Sequence, residues 1–153
     1  MNIQLESIAP LFILFAGFII GQGAVTVIDL LGFLGRKSSY WTEATIRSHK
    51  VTKPLIWIGM ILVVVGLFLT YSKFGTPDFV IPQAVSIVLM ILNGVFLSFY
   101  ISPALIKQEK EGRSQELLSD SMQAKIIVSF LISFASWWGN LLISVYFITT
   151  LIK

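Results

Sequence analysis

The sequence predicts an all-α membrane protein, a bundle of four transmembrane helices with both termini outside the cytoplasm. Three observations carry that expectation: an apolar composition, four long uncharged runs, and a one-sided placement of Lys and Arg. Of 153 residues, 56% are hydrophobic and 12% charged, and the mean hydropathy is +0.85. A soluble domain of this size has too little interior to hide so much apolar surface, so lipid is expected to be its solvent. One integral-membrane domain, residues 1–153, accounts for the length. Cysteine is absent, which removes disulfides and thiolate chemistry.

The first span, about residues 8–34, follows MNIQLES, which has neither a basic n-region nor a cleavage site of small residues. It therefore reads as a retained helix rather than a leader. Gly17, Gly21 and Gly32 fall on one stripe of it. The Gly17–Gly21 step is a GxxxG spacing, which lets helix backbones approach closely. Such a stripe serves packing within the chain, or against a second copy or another membrane protein. The second span, residues 54–72, opens at Pro54 and follows a short separate helix around residues 41–50. Its only notches are Gly59 and Gly66, so much of its surface is expected to face lipid. The turn KFGTPDF leads to the third span, residues 80–106. The fourth, residues 125–152, is preceded by Asp120 and Gln123 at capping-box spacing.

Orientation follows from the loops. Arg36, Lys37, Arg47, Lys50 and Lys53 lie between the first two spans, and Lys107, Lys110, Arg113 and Lys125 between the last two. The middle connection offers only Lys73. Basic loops are retained on the cytoplasmic side, so both long loops are expected there, in a multi-pass protein of the bacterial inner membrane. Membrane lipids are the expected partners, at about 1 kcal/mol per Lys or Arg near anionic headgroups. Nucleic acid is not an expected partner.

Polar side chains inside spans carry the functional information, because lipid cannot satisfy them. Gln22, Thr26 and Asp29 share a face of the first helix. Ser86, Asn93 and Tyr100 recur every seven residues on the third, and Ser129, Ser133, Ser136, Asn140 and Ser144 form a stripe on the fourth. Centring each span on the bilayer sets Gln22, Asn93 and Asn140 near the midplane. Asp29, Tyr100 and Ser133 then form a second layer about 10 Å towards the cytoplasm. Two roles are open to these layers. They fix helix register through hydrogen bonds, each often under about 1 kcal/mol, or they line a polar binding cavity.

Reaction signatures are missing. His49 is the single histidine, set among Arg47, Lys50 and Lys53, and it reads as a polar residue at the membrane surface. No HxxxH or ExxH pair, nucleophile elbow or Gly-rich phosphate loop is present, so no metal, cofactor or enzyme activity is expected.

The stretches AGFIIGQGAVTVIDLLGFLG, IRSHKVTKPLIWIGM and VLMILNGVFLSFYISPALIK resemble small four-helix bacterial inner-membrane proteins. Distantly, these are similar to the copper-resistance protein D and membrane protoporphyrinogen oxidase J families. The resemblance implies a Gly-rich first helix, a basic loop and a second helix opened by Pro. In the oxidase-like family a His on the first helix and a basic residue early in the third support haem. Here those positions hold Ser7 and the run Pro82, Gln83, Ala84, so no site residue carries over. The expected function is a small accessory or ligand-binding membrane protein with a polar bundle core. The alternatives are a transporter or channel subunit using Asp29, and a haem-dependent membrane oxidoreductase.

Overall fold

Backbone groups in lipid have to be satisfied within the chain, and the described residues meet that demand with helices alone. The computed structural model describes residues 5–152, with side chains from 8 to 151. The side chain of Ser7 and the terminal residue Lys153 lie outside the described residues. Four helical segments are long and apolar enough to cross a membrane: Ile8–Gly35, Ser39–Phe74, Val80–Lys110 and Asp120–Leu151. The first span consists of α1 (Leu5–Gly17), a π turn (Phe18–Gln22) and α2 (Gly23–Gly35). The second is the single helix α3 (Ser39–Phe74). The third joins α4 (Val80–Phe96), a second π turn (Leu97–Ile101) and α5 (Ser102–Lys110), and the fourth is α6 (Asp120–Ile152).

The segment expected as a short separate helix is the first part of α3, which runs unbroken through Pro54. Proline removes the hydrogen bond to the Lys50 carbonyl, but Lys50 is exposed and water can replace that bond. The segment also has a reason to stay helical. Thr42, Thr45, Ile46, His49 and Thr52 are buried in phase with Met60, Val63 and Leu67 further along. The Thr42 hydroxyl donates to the Gly35 carbonyl at 2.7 Å, tying the start of α3 to the end of α2. At its other end α3 stops at Gly75, whose φ of +89° suits glycine. The cap of α6 is likewise one residue earlier than expected, since Ser119 rather than Asp120 accepts from the Met122 N–H, at 3.4 Å.

Glycines fuse the first two spans. A Cβ on Gly17 would stand 2.6 Å from the Val63 nitrogen, and one on Gly66 would stand 2.5 Å from the Leu14 Cα. The stripe is thus used inside the chain, and the inner side of the second span is packed rather than lipid-facing. Gly32 differs, because a Cβ there would meet only Ile126, at 3.5 Å, an ordinary contact. The third and fourth spans form a second pair. Leu14, Phe18, Met60, Val63, Met90 and Trp137 join the two pairs in one core, with the Phe18 and Trp137 rings edge-on at 6.5 Å.

At the basic end, the loop after α5 folds back beside it. Gln108 Nε2 donates to the carbonyls of Arg113 and Glu116, at 3.0 and 2.7 Å. Arg113 pairs with Glu111 and Glu116, and its hydrogen bond holds the Glu111 carboxyl below the usual range. Leu118, Met122 and Ile126 consequently pack on Ile101 and Leu105, so α6 starts alongside α5 rather than beyond it.

Candidate functional site

The polar stripe of α6 faces the polar positions of α4, forming three rungs. In the first, Gln83 donates to Ser144 Oγ at 3.0 Å and accepts from the Tyr71 hydroxyl of α3. In the second, Asn140 donates to Ser86 Oγ at 2.8 Å and to the Ser136 carbonyl at 3.1 Å. In the third, Asn93 Nδ2 donates to Ser133 Oγ at 2.9 Å, while its Oδ1 accepts from Ser129 Oγ at 2.7 Å. Gln83, Asn140 and Asn93 are all buried. Bonds of this kind average about 0.6 kcal/mol in a membrane, so the rungs set register more than they supply stability.

The layers expected from sequence are redistributed. Asn93 meets Ser133 and Asn140 meets Ser86, so the two asparagines share an interface but stand about two turns, roughly 10 Å, apart. The folded-back loop is the cause, since it starts α6 alongside α5 and the span midpoints no longer face each other. Tyr100 leaves the core altogether. It is 49% exposed and accepts a 2.7 Å hydrogen bond from Lys125. Counting seven residues from Asn93 fails because the π turn at Leu97–Ile101 inserts an extra residue into the helical phase. Ser98, Ile101, Ser102 and Leu105 take the buried positions instead.

That π turn exposes a carbonyl with a specific partner. The Ser102 N–H goes to the Leu97 carbonyl, and the next residue, Pro103, has no N–H to offer Ser98. Lys53 Nζ reaches across from α3 and donates to the Ser98 carbonyl at 3.2 Å. Trp57 Nε1 donates to Ser98 Oγ at 3.0 Å. Beside them lies an internal cavity of about 60 Å³, which Asp29 and His49 also line. His49 is 9% exposed and its Nε2 has no hydrogen-bond partner. Asp29 makes no hydrogen bond or ion pair among the described residues. Sequence reasoning set His49 at the surface. The signal that finds it is the three-and-four spacing from Thr42 and Thr45, visible once α3 is taken as one helix.

Asp29 has a second outlook. On its other side a groove of about 410 Å³ runs between the first and fourth spans, walled by Phe33, Phe130, Phe134, Trp137 and Trp138. Gln22 lies in the same groove, 7% exposed, and its Oε1 is enclosed without a partner. The groove continues past Gly23, where an added Cβ would meet nothing within 4 Å. Asn93, Asn140 and Ser133 thus belong to the seam between α4 and α6, where Asn93 and Ser129 also border an open apolar groove of about 420 Å³. Gln22 and Asp29 instead border the groove between the first and fourth spans.

Among the described residues, no group of three or more His, Cys, Asp or Glu gathers closely enough to hold a metal ion. Comparison with family models, with curated proteins and with solved structures gives no match, and the site therefore rests on its own geometry.

Proposed function

We propose that the protein is a ligand-binding protein of the bacterial inner membrane that takes a small lipid-soluble molecule into the groove between its first and fourth spans. Gln22 carries this reading, as a buried side chain on the wall of an aromatic groove whose enclosed carboxamide oxygen has no partner. An unsatisfied buried polar group costs roughly 1–3 kcal/mol, which a hydrogen-bonding ligand would recover once the carboxamide turns its oxygen to the groove. Size supports the groove over the internal cavity. About 60 Å³ holds roughly two waters, while about 410 Å³ lies in the range of roughly 300–1,000 Å³ typical of organic ligands. The rim residues Leu30, Phe33, Phe134 and Trp138 are exposed, so the entrance would face acyl chains.

Gly23 supplies the test. An added Cβ there meets nothing within 4 Å, and a Trp at this position enters the adjoining stretch of the groove beside Gln22, Thr26 and Trp138. Native mass spectrometry of protein released from nanodiscs should show one bound small molecule in the wild type and none in Gly23→Trp. Identical spectra from two folded proteins would refute the groove as the site.

The orientation belongs to the same proposal. Basic residues gather at the end that carries Arg36, Lys37, Lys107 and Arg113, which assigns that end to the cytoplasm and both termini to the periplasm. Reporter fusions after residue 153 and within 111–119 should report opposite compartments. A cytoplasmic C-terminus would invert the assignment.

A further inference from the structure

We propose that the groove between the first and fourth spans selects a lipophilic cation, its positive centre against Asp29 and its apolar bulk on the surrounding rings. The inference rests on the groove being a binding site and adds the charge of what it binds.

Charge complementarity carries it. Asp29 lines the groove and forms no ion pair with a cation of the protein's own among the described residues. The two nearby cations are committed elsewhere, Lys53 to the Ser98 carbonyl at 3.2 Å and Arg36 Nε to the Phe33 carbonyl at 3.2 Å. Neither side chain lines the groove, so among the described residues Asp29 is the one formally charged residue on its walls.

The walls point the same way. Aromatic faces attract cations through their ring quadrupole, most strongly where water is excluded. The protein already uses this chemistry beside the groove, with the Arg36 guanidinium 4.0 Å over the Phe33 ring. A cation small enough for about 410 Å³ would meet Phe130, Phe134 and Trp138 on its apolar surface and Asp29 at its charge. A neutral lipid tail would gain the apolar contacts but bring Asp29 no opposite charge on the groove side. An anion of the same shape would face that carboxylate directly.

The experiment uses two rigid ions of matched shape and opposite charge, tetraphenylphosphonium and tetraphenylborate. Each is titrated against the full chain in phosphatidylcholine nanodiscs, with empty nanodiscs correcting for partition into lipid. Wild type should bind one tetraphenylphosphonium saturably, at least about tenfold more tightly than tetraphenylborate. Asp29→Asn should lower the cation affinity by about tenfold or more, with thermal melting and gel filtration confirming that the variant is folded. Gly23→Trp should abolish binding. Equal binding of both ions, or no saturable binding of either, would overturn the selectivity, as would full affinity in Asp29→Asn. If Gly23→Trp removes binding of both ions equally, the groove stands and only the charge inference falls. Unchanged cation binding in Gly23→Trp removes both.

Discussion

Gly59→Leu should leave the protein unable to hold its first two spans together, at a cost above about 4 kcal/mol, the exceptional end of single substitutions. A Cβ on Gly59 would run into the Cα and N of Gly21, and into the Gly17 carbonyl oxygen at 2.8 Å. These are backbone atoms of a helix and have no rotamer to move into. The helices would have to separate, which opens the packing of Leu14, Phe18, Met60 and Val63. In water the hydrophobic effect would resist that separation. In lipid it does not, because tails solvate Leu as well as a neighbouring helix does, and close packing is what associates spans. Steric-trap or detergent-denaturation measurements give the comparison. Gly23→Leu, in open space at φ −60°, should fold like the wild type. If Gly59→Leu retains wild-type stability, the two helices do not meet at this seam.

The spans were legible in the sequence because hydropathy over about twenty residues responds to bilayer thickness alone. Their internal phase was not. Pro54 signals a helix start, and only the burial of Thr45, Ile46 and His49 ahead of it shows that α3 continues through the proline. The π turns alter the hydrogen-bond ladder without a composition of their own, so every position after Leu97 shifts by one residue. Tyr100 leaves the core for that reason and Ser98 enters it. Depth matching between Asn93 and Asn140 fails for a different cause, the backward fold of a charged loop held by Gln108. Asp29 was legible as an outlier because a carboxylate in a span is rare and costly. Its neighbour His49 was not, because basic residues on either side disguised a buried face.

Lys53→Met should destabilise the protein by about 2 kcal/mol, the range for a hydrogen bond to a charged group left unmade, and Pro103→Ala should relieve part of that loss. Two consequences of removing Lys53 can be separated. One is the Ser98 carbonyl, which loses the donor that replaces the N–H Pro103 lacks. The other is Asp29, left as the only formally charged side chain lining the internal cavity. Alanine at position 103 returns a backbone N–H within reach of Ser98 and repairs the first fault only. In a double-mutant cycle the pair should therefore lose less than the sum of the singles, with a coupling of about 1 kcal/mol. Adding Asp29→Asn to that double variant should recover much of the remainder, because it removes the uncompensated charge. Chemical denaturation in one detergent gives all the corners of the cycle. Strict additivity of Lys53→Met and Pro103→Ala would mean that Lys53 does not cap the π turn. A remainder indifferent to Asp29→Asn would mean that the lysine and the carboxylate do not sense each other across the cavity.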